Sequence, residues 1–182
     1  MPAEVYGEKY EFLPRPHVLS FEEIDRLTRL FVRIGVSKVR ITGGEPLVRA
    51  NLPDLISKLV VIDRIDDIAL TTNGYLLENN ATELKDAGLN RLTISLDSID
   101  PDIFKEMSGR PQGPENTLAG IKAAASLGFE QIKINVVVQR GVNEHTLVDT
   151  ARYFKGTGAI VRFIEFMDVG TKNGWALSQV FT

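Results

Sequence analysis

The chain has 182 residues, 43% of them hydrophobic and 25% charged, which is enough sequence of ordinary composition to bury one hydrophobic core. Its formal net charge of −3 argues against a general nucleic-acid-binding protein, and its apolar runs are too short to span a membrane. The absence of cysteine excludes disulfides and thiolate metal sites within the chain, and the two distant histidines indicate no zinc site. Without an apolar signal-peptide core at its start, the sequence predicts a cytoplasmic protein.

The first part of the chain predicts an arm followed by a helix. Residues 1–19 predict an extended arm or loop, and residues 20–182 predict βα repeats within one domain. Ser20 and Glu23 have the spacing of a capping box. Apolar residues then recur at helical spacing up to Gly35, so this pattern predicts an amphipathic helix that ends at that glycine.

Five strands and four more helices are predicted after this helix. The strands cover residues 36–42, 67–72, 91–96, 131–138 and 161–167, and the helices cover residues 52–62, 76–87, 115–127 and 144–154. Gly88 and Gly128 are predicted at helix C-caps and Asn143 at an N-cap. Strands that alternate with helices indicate βαβ units and a parallel sheet, either open and doubly wound or part of a (β/α) barrel.

Polar residues at the strand ends favour the barrel. Nearly every predicted strand has polar groups at its C-terminal edge, at residues 42–45, 71–74, 95–97, 139–140 and 165–167. Barrel enzymes build their active sites at this face, from the ends of several strands. The predicted fold class is therefore α/β, a partial barrel of parallel strands.

Glycines and strand cations predict a ligand site. Gly43 and Gly44 follow the first strand, where the lack of side chains lets a ligand approach the backbone. Cations within strands are costly to bury unless they meet an anion. They could pair with nearby carboxylates, but four of them together indicate a polyanionic ligand such as a phosphate: Lys38, Arg40, Lys133 and Arg162.

Several of these segments together resemble the radical S-adenosylmethionine (radical SAM) superfamily. The segments are residues 38–49, 71–74, 94–97, 132–135 and 162–170, followed by residues 173–175. Within the superfamily, essentially the whole chain is similar to the GTP 3',8-cyclase family, also called the molybdenum cofactor biosynthesis protein A family. The Gly-Gly-Glu-Pro element is shared by many radical enzymes, whereas residues 162–170 with 173–175 are far more selective.

The resemblance implies a fold and a reaction. The fold is a partial (β/α)6 TIM-like barrel, here lacking its first strand, and the cofactors are S-adenosylmethionine and 4Fe-4S clusters. In that family a deoxyadenosyl radical takes a hydrogen from C3' of GTP, and the C3' radical attacks C8 of guanine. This lyase reaction yields (8S)-3',8-cyclo-7,8-dihydroguanosine 5'-triphosphate, the first step of molybdopterin biosynthesis. The implied partners are GTP and the next enzyme of molybdopterin synthesis, with a homodimer as an option and without membrane or nucleic acid.

The resemblance also implies the roles of ten residues. Those that contact S-adenosylmethionine are Gly43, Gly44 and Glu45 at its amino acid end, Ser95 at its polar groups and Met167 at its adenine. Those that match GTP-binding positions are Arg40, Thr71 and Lys133, with Lys38 and Arg162 as neighbours of the triphosphate. No catalytic side chain and no metal ligand is implied within the chain.

The chain departs from the family pattern because it lacks the three thiolates that a radical SAM cluster needs. Met1 and Pro2 match the residues that follow the third cluster cysteine in the family. We therefore expect the cysteine loop to lie upstream and this chain to be an inactive central fragment of the enzyme. The alternative is a non-catalytic nucleotide- or SAM-binding remnant. A third hypothesis is a cofactor-free lyase with Lys133 as a Schiff-base lysine, against which Asn135 and the full motif set argue.

Overall fold

Helix α1 (Phe21–Arg33) opens the part of the chain that this computed structural model describes, residues 17–168 and 174–181. The predicted capping box is present, since Glu23 N donates to Ser20 Oγ and Ser20 N donates to Glu23 Oε2. Gly35 follows at φ +98°, a left-handed conformation that glycine adopts without strain, so the helix ends where predicted. Residues 1–16 of the predicted arm lie outside the described residues.

Five strands alternate with helices along the rest of the chain. In order, the elements are β1 (Lys38–Ile41), α2 (Leu52–Val60), β2 (Asp67–Thr72), α3 (Leu77–Asp86), β3 (Arg91–Ser95), α4 (Pro101–Ser108), α5 (Glu115–Ser126), β4 (Gln131–Val138), α6 (Leu147–Phe154) and β5 (Ile160–Glu165). Short 3₁₀ helices lie at Pro46–Val48, Glu144–Thr146 and Leu177–Gln179. Every predicted strand and helix is present, β2 and β4 with the predicted bounds and the others with shifted ends. The helix predicted at 144–154 is divided into a 3₁₀ turn and α6.

The strands form one parallel sheet in which spatial order equals sequence order, β1-β2-β3-β4-β5. Each connection carries at least one helix, as crossovers between parallel strands usually do. The predicted α/β class is therefore confirmed. After β5 the tail returns to the end of β4, where Gln139 and Val180 form an antiparallel bridge and Arg140 N donates to Gln179 O.

One face of the sheet packs against the helices and forms the hydrophobic core. Its strand side chains are almost completely buried, as at Ile68, Leu70, Leu92, Ile94, Ile134 and Val136. Helical residues of the same cluster include Ile56, Leu59, Leu77 and Leu84. None of the described helices is long and apolar enough to cross a membrane.

Helix α4 is absent from the sequence-based prediction. Asp100 caps this helix by accepting hydrogen bonds from Asp102 N and Ile103 N, and Pro101 occupies its first turn. Gly109 ends the helix at φ +65°. Only Phe104 is buried in this element, and its eight residues are fewer than the length over which apolar periodicity indicates a helix.

Asn143 occupies the N-cap position at which it was predicted, but its side chain has a different role. It precedes the 3₁₀ helix Glu144–Thr146 but makes no capping hydrogen bond with its side chain. Its buried carboxamide instead joins two strand ends. Nδ2 donates to Asp97 O and Val137 O, and Oδ1 accepts from Gln139 N, each at 2.8 Å.

Candidate functional site

The polar strand residues lie together on the inner face of the sheet, the face opposite the helix-packed core. Side chains alternate between faces along a strand, and residues paired across parallel strands share a face. The register pairs Thr71 with Thr93 and Thr93 with Lys133. It also pairs Ser95 with Asn135 and Asn135 with Arg162. This face therefore brings together Ser95 and all the predicted GTP-binding residues: Lys38, Arg40, Thr71, Lys133 and Arg162.

The glycine loop after β1 leaves backbone open at the C-terminal edge of the sheet. Gly43 has φ +154°, and a Cβ added at Gly43 or Gly44 would meet no atom within 4 Å. Packing within the protein therefore does not explain why both positions are glycine. The open space suits a ligand that approaches the backbone closely.

Glu45 connects the glycine loop to the end of β2. Its Oε1 accepts from Leu47 N at 3.0 Å and from Thr72 Oγ1 at 2.7 Å, and its Oε2 accepts from Asn73 N at 2.7 Å. Three protein donors thus hold this carboxylate and fix the position of the loop. A contact between Glu45 and S-adenosylmethionine remains a prediction.

Arg40 projects across three strands of the inner face. Its Nη1 donates to Thr71 Oγ1 at 2.9 Å and to Thr93 Oγ1 at 3.1 Å. A guanidinium has five N–H donors, and those on Nε and Nη2 make no hydrogen bond to any other described residue. Arg40 is thus oriented by hydroxyl groups while keeping donors and a positive charge for a ligand.

The other three strand cations of the predicted site make no ion pair within the described residues. Lys38, Lys133 and Arg162 have no salt bridge or side-chain hydrogen bond to residues 17–168 or 174–181. Arg91 on the same face provides a contrast, because it pairs through two nitrogens with Asp67. The alternative that the four predicted cations pair with carboxylates is therefore absent among the described residues, and these cations remain available to an anion.

Buried polar groups hold the ends of β3 and β4 side by side. Asp97 Oδ1 accepts from Val137 N at 2.8 Å, and Leu96 N donates to Asn135 O at 2.9 Å. Burial raises the pKa of Asp97, and the hydrogen bond from Val137 opposes that rise. With the Asn143 bridge, these bonds place the exposed hydroxyl of Ser95 beside Asn135.

Met167 lies just beyond β5 and is 53% exposed, so it does not fill the core. Trp175 anchors the returning tail next to it, because its Nε1 donates to Phe166 O at 3.0 Å. Residues 169–173 of the predicted motif lie outside the described residues. The exposure of Met167 suits the predicted contact with a planar ligand group.

Three residues of the site are missing from the predicted set: Thr93, Asp97 and Asn135. Thr93 binds Arg40, and Asp97 fixes the end of β3. The oxygen Oδ1 of Asn135 is buried on the inner face without a hydrogen-bond partner. The period of two along the strands could have found two of them, since Thr93 and Asn135 each lie two residues from a predicted site residue.

A groove outside this site offers no comparable chemistry. It has a volume of about 720 Å³ and lies between α6 and β5, with a mainly apolar lining that includes Val148, Phe154 and Phe163. None of the predicted site residues lines it. We therefore place the candidate site at the inner face and not in this groove.

Residues 5–154 match the radical SAM superfamily, and the chain belongs to it. The crystal structure of methylornithine synthase has the same fold, with a TM-score of 0.68 and 17% identity over 91% of this chain and 49% of that chain. The predicted barrel-type arrangement of parallel strands and helices is thereby confirmed.

Two relatives that resemble the whole chain are both named GTP 3',8-cyclase. The GTP 3',8-cyclase of Staphylococcus epidermidis is 47% identical over 182 residues, which cover 100% of this chain and 53% of that protein. The GTP 3',8-cyclase of Xanthomonas axonopodis pv. citri is 50% identical, with 100% and 54% covered. The chain thus spans about half the length of the relatives it matches.

Proposed function

We propose that this chain forms the central, nucleotide-binding part of a GTP 3',8-cyclase, which converts GTP to (8S)-3',8-cyclo-7,8-dihydroguanosine 5'-triphosphate. The relatives named GTP 3',8-cyclase support this proposal, because their similarity extends over the whole chain. The observation that carries it is the inner face, where four cations without carboxylate partners among the described residues lie on the sheet that ends in an open glycine loop.

The four cations suit the triphosphate of GTP. Arg40 is held by the hydroxyls of Thr71 and Thr93, so its fork is oriented before a ligand arrives. Guanidinium groups bind phosphate oxygens through paired hydrogen bonds, and lysine ammonium groups add point charges. Lys38 on β1 and Lys133 and Arg162 on β4 and β5 therefore lie on either side of the proposed triphosphate position across the inner face.

The glycine loop and the edge of β3 suit S-adenosylmethionine. The space above Gly43 and Gly44 would admit the amino acid end of the molecule, and Ser95 and Met167 lie at the same edge of the sheet. S-adenosylmethionine supplies the adenosyl group that reacts with GTP, whereas these residues bind it, orient it and exclude water. We therefore propose that S-adenosylmethionine binds at the C-terminal edge of the strands and that GTP binds over the inner face of the sheet.

The chain does not fit the iron–sulfur cluster of this reaction. It has no cysteine, and no three potential metal ligands lie together within the described ranges. Carboxylates and two separated histidines do not replace thiolates at such a cluster. The lack of thiolate ligands in this chain favours a second candidate function, a nucleotide- or SAM-binding remnant without catalysis.

The two candidates predict different sequences upstream of the Met1 codon. A cyclase should encode a C-x-x-x-C-x-x-C loop in frame directly before Met1 and Pro2, because that position matches the family. A stop codon in frame within a few codons, with no cysteine codon between, would favour the remnant instead. Sequencing the genomic DNA on that side distinguishes them.

Activity can be tested in an extended chain, in which residues 1–182 are placed between the two segments that flank the matched region of the Staphylococcus epidermidis enzyme. After anaerobic reconstitution with iron and sulfide, we expect GTP, S-adenosylmethionine and a reductant to yield 5'-deoxyadenosine and the cyclic nucleotide by mass spectrometry. The flanking segments joined without residues 1–182 are the control. Binding of both nucleotides without any product would support the remnant.

Three associated properties are part of the same proposal. The product would pass to the next enzyme of molybdopterin synthesis, the protein would act in the cytoplasm, and it could form a homodimer. A pull-down with that next enzyme and a molar mass measured by light scattering test the two interactions. Failure of either would leave the proposed chemistry intact.

A further inference from the structure

The carboxylate of Asp67 lies among the cations of the inner face, where Arg91 binds it. Arg91 Nε donates to Asp67 Oδ1 at 2.6 Å, and Arg91 Nη2 donates to Asp67 Oδ2. The two side chains are only 27% and 13% exposed. A guanidinium matches a carboxylate through two parallel hydrogen bonds, which a lysine ammonium cannot do. Arg91 therefore engages both oxygens of this carboxylate.

Lys38 is the cation that Asp67 would otherwise bind. The register places Lys38 directly opposite Asp67 on the neighbouring strand, and strands in a sheet are about 4.8 Å apart, so its ammonium can reach the carboxylate. Lys38 nevertheless makes no ion pair with Asp67 or with any other described carboxylate. The pairing of Asp67 with Arg91 explains why Lys38 keeps its charge for a ligand.

The small side chain of Ala69 makes room for this arrangement. Ala69 pairs in register with Arg40 on β1 and with Arg91 on β3. It is only 2% exposed, although it lies on the inner face and outside the hydrophobic cluster on the helix side. The long side chains of Arg40 and Arg91 account for its burial, because both extend over β2. The two arginines thus lie next to each other, one bound to hydroxyls and the other to a carboxylate.

We infer that Arg91 is a positioning residue that keeps Asp67 from binding Lys38 and thereby preserves the anion site of the inner face. Arg91 acts on Asp67 and not on the ligand. Without Arg91, the free carboxylate pairs with Lys38 and removes one cation from the triphosphate position. The inference rests on the proposed function, since it assigns Lys38 to the triphosphate of GTP.

The two halves of the ion pair should affect GTP binding in opposite directions. Arg91→Gln frees the carboxylate of Asp67, so affinity for GTP should fall about tenfold, as the loss of one charged contact allows. Asp67→Asn removes the competing carboxylate and leaves both Lys38 and Arg91 charged, so GTP should bind at least as tightly as before. An ion pair that only ties β2 to β3 would give losses in both variants.

The double variant Arg91→Gln/Asp67→Asn separates a positioning role from a direct contact. It restores the net charge of the inner face and leaves Lys38 without a competing carboxylate. Its affinity for GTP should return to within about threefold of that of the unmodified chain. If Arg91 touched the ligand, the contact would be lost in the double variant as well, and affinity would not recover. Equilibrium dialysis of the 182-residue chain measures these affinities.

A second comparison tests whether the effect passes through Lys38. In the unmodified chain, Lys38→Met should weaken GTP binding about tenfold. In the Arg91→Gln variant the same change should have an effect below about threefold, because Lys38 is already bound to Asp67. Independent effects would instead multiply.

The ion pair between Arg29 and Asp25 on α1 is the matched control. It has the same contact through two nitrogens, at 2.9 and 3.1 Å, but it lies on a helix away from the inner face. Arg29→Gln and Asp25→Asn should each change affinity for GTP by less than about twofold. Melting temperatures show whether each variant is folded.

Three results would overturn the inference while leaving the proposed function standing. They are an Asp67→Asn variant that loses as much affinity for GTP as Arg91→Gln does, a double variant as weak as Arg91→Gln, and an Arg91→Gln variant that binds GTP normally. Should Arg91→Gln not fold, a loss of GTP affinity in Asp67→Asn alone would still overturn it. If the unmodified chain does not bind GTP, the proposed function fails first and the assignment of Arg91 fails with it.

Discussion

Two arginines of the inner face have different hydrogen-bond partners. The difference indicates a structural role for one arginine and a ligand-binding role for the other. Arg91 forms a paired contact with Asp67, so its charge is neutralised within the protein. Arg40 donates only to the neutral hydroxyls of Thr71 and Thr93. An arginine oriented in this way keeps its full charge for an anionic ligand.

Replacing a site cation should weaken GTP binding selectively. In Arg40→Ala and Lys133→Ala we expect affinity for GTP to fall about tenfold to a hundredfold, since a hydrogen bond to a charged group contributes about 1.5–3 kcal/mol. Affinity for S-adenosylmethionine should change less than about twofold, a free-energy change below about 0.5 kcal/mol. Equilibrium dialysis of the 182-residue chain measures both.

Lys122→Ala is the control for these variants, because Lys122 is an exposed cation on α5. It should bind both nucleotides normally. Equal losses for both ligands in a folded Arg40→Ala variant would show that the strand cations support the sheet and do not distinguish the ligands.

A side chain at Gly44 should abolish binding of S-adenosylmethionine without unfolding the protein. The position has open space for a Cβ, so Gly44→Val should retain the circular dichroism and melting temperature of the unmodified chain. The branched side chain would fill the space proposed for the amino acid end of the ligand. Dialysis should show GTP binding largely retained and S-adenosylmethionine binding lost.

Gly74→Ala is the opposite case and serves as its control. The added Cβ would lie 2.9 Å from Ile94 Cγ2 and from Thr117 Cγ2, at φ +76°. This variant should therefore lose stability whatever the ligand. A Gly44→Val variant that binds S-adenosylmethionine normally would exclude the glycine loop from the cofactor site.

At the scale of elements, buried side chains hold the ends of β3 and β4 together. Their hydrogen bonds add to the backbone hydrogen bonds between the two strands. Asn143 joins Asp97 O to Val137 O, and the Asp97 carboxylate binds Val137 N. Asn143→Ala would leave several of these groups unpaired at once, each costing about 1–3 kcal/mol. The bridge therefore determines where Ser95 and Asn135 stand relative to each other.

Asp97 should make stability depend on pH in a particular direction. Burial raises its folded-state pKa above the ordinary value of 3.8, so its contribution to stability is fully present below that value and is lost as pH rises through the folded pKa. Asp97→Asn cannot ionise and keeps an oxygen for Val137 N. The melting temperature of the variant minus that of the unmodified chain should increase between pH 4 and pH 8.

A difference that stays constant over that pH range would contradict the raised pKa. Asn143→Ala provides the comparison for this series, because it perturbs the same strand ends without changing a titratable group. It should lower the melting temperature at every pH by a similar amount.

The sequence predicted the elements whose signals are local and missed the contacts that need three dimensions. The capping box at Ser20 and the strand periods are local patterns, and both are confirmed. Helix α4 has local caps but only one buried residue, Phe104, so its apolar pattern was too weak to predict it.

The sequence predicted which residues belong to the site but not the hydrogen bonds that hold them in place. The period of two put Lys38 and Arg40 on one face of the first strand, and the register shows that Lys133 and Arg162 share that face. Two of the three donors to Glu45 come from the end of β2, and the role of Asn143 depends on two strands meeting. Such partners are distant in sequence, and no local spacing indicates them.

At the scale of the whole molecule, the two ends of the sheet have similar unpartnered surfaces. Among the described strands, β1 pairs only with β2 and β5 only with β4. Near β1, Phe31 of helix α1 is 52% exposed and Ile34, just after that helix, is 78% exposed. On β5, Phe163 is 48% exposed. Free strand edges next to apolar side chains are templates for association.

We therefore expect the 182-residue chain to self-associate as its concentration rises. Size-exclusion chromatography with light scattering should show a molar mass above the monomer value of 20.2 kDa at tens of micromolar, a range in which exposed edges associate. Ile34→Lys should reduce this association without lowering the melting temperature, because the side chain is exposed. A monodisperse monomer at all concentrations would contradict the expectation.

The same chain should not assemble an iron–sulfur cluster. After anaerobic incubation with iron and sulfide and desalting, iron should remain far below a stoichiometric amount, since no thiolate is present. The extended chain, treated in parallel, should retain iron and the visible absorption of a cluster. Stoichiometric iron in the 182-residue chain would require ligands that the sequence does not offer.

The sequential strand order has a consequence for synthesis on the ribosome. Each strand pairs with the one made just before it, so no strand must wait for a partner that is translated much later. Domains tend to fold from the N-terminus while the chain emerges, and contacts close in sequence shorten the search. We expect the sheet to grow one strand at a time, with each new βα unit docking on an edge that is already in place. The inner face would therefore acquire its cations in order, Lys38 and Arg40 first and Arg162 last, and the anion site would be completed only when β5 has docked.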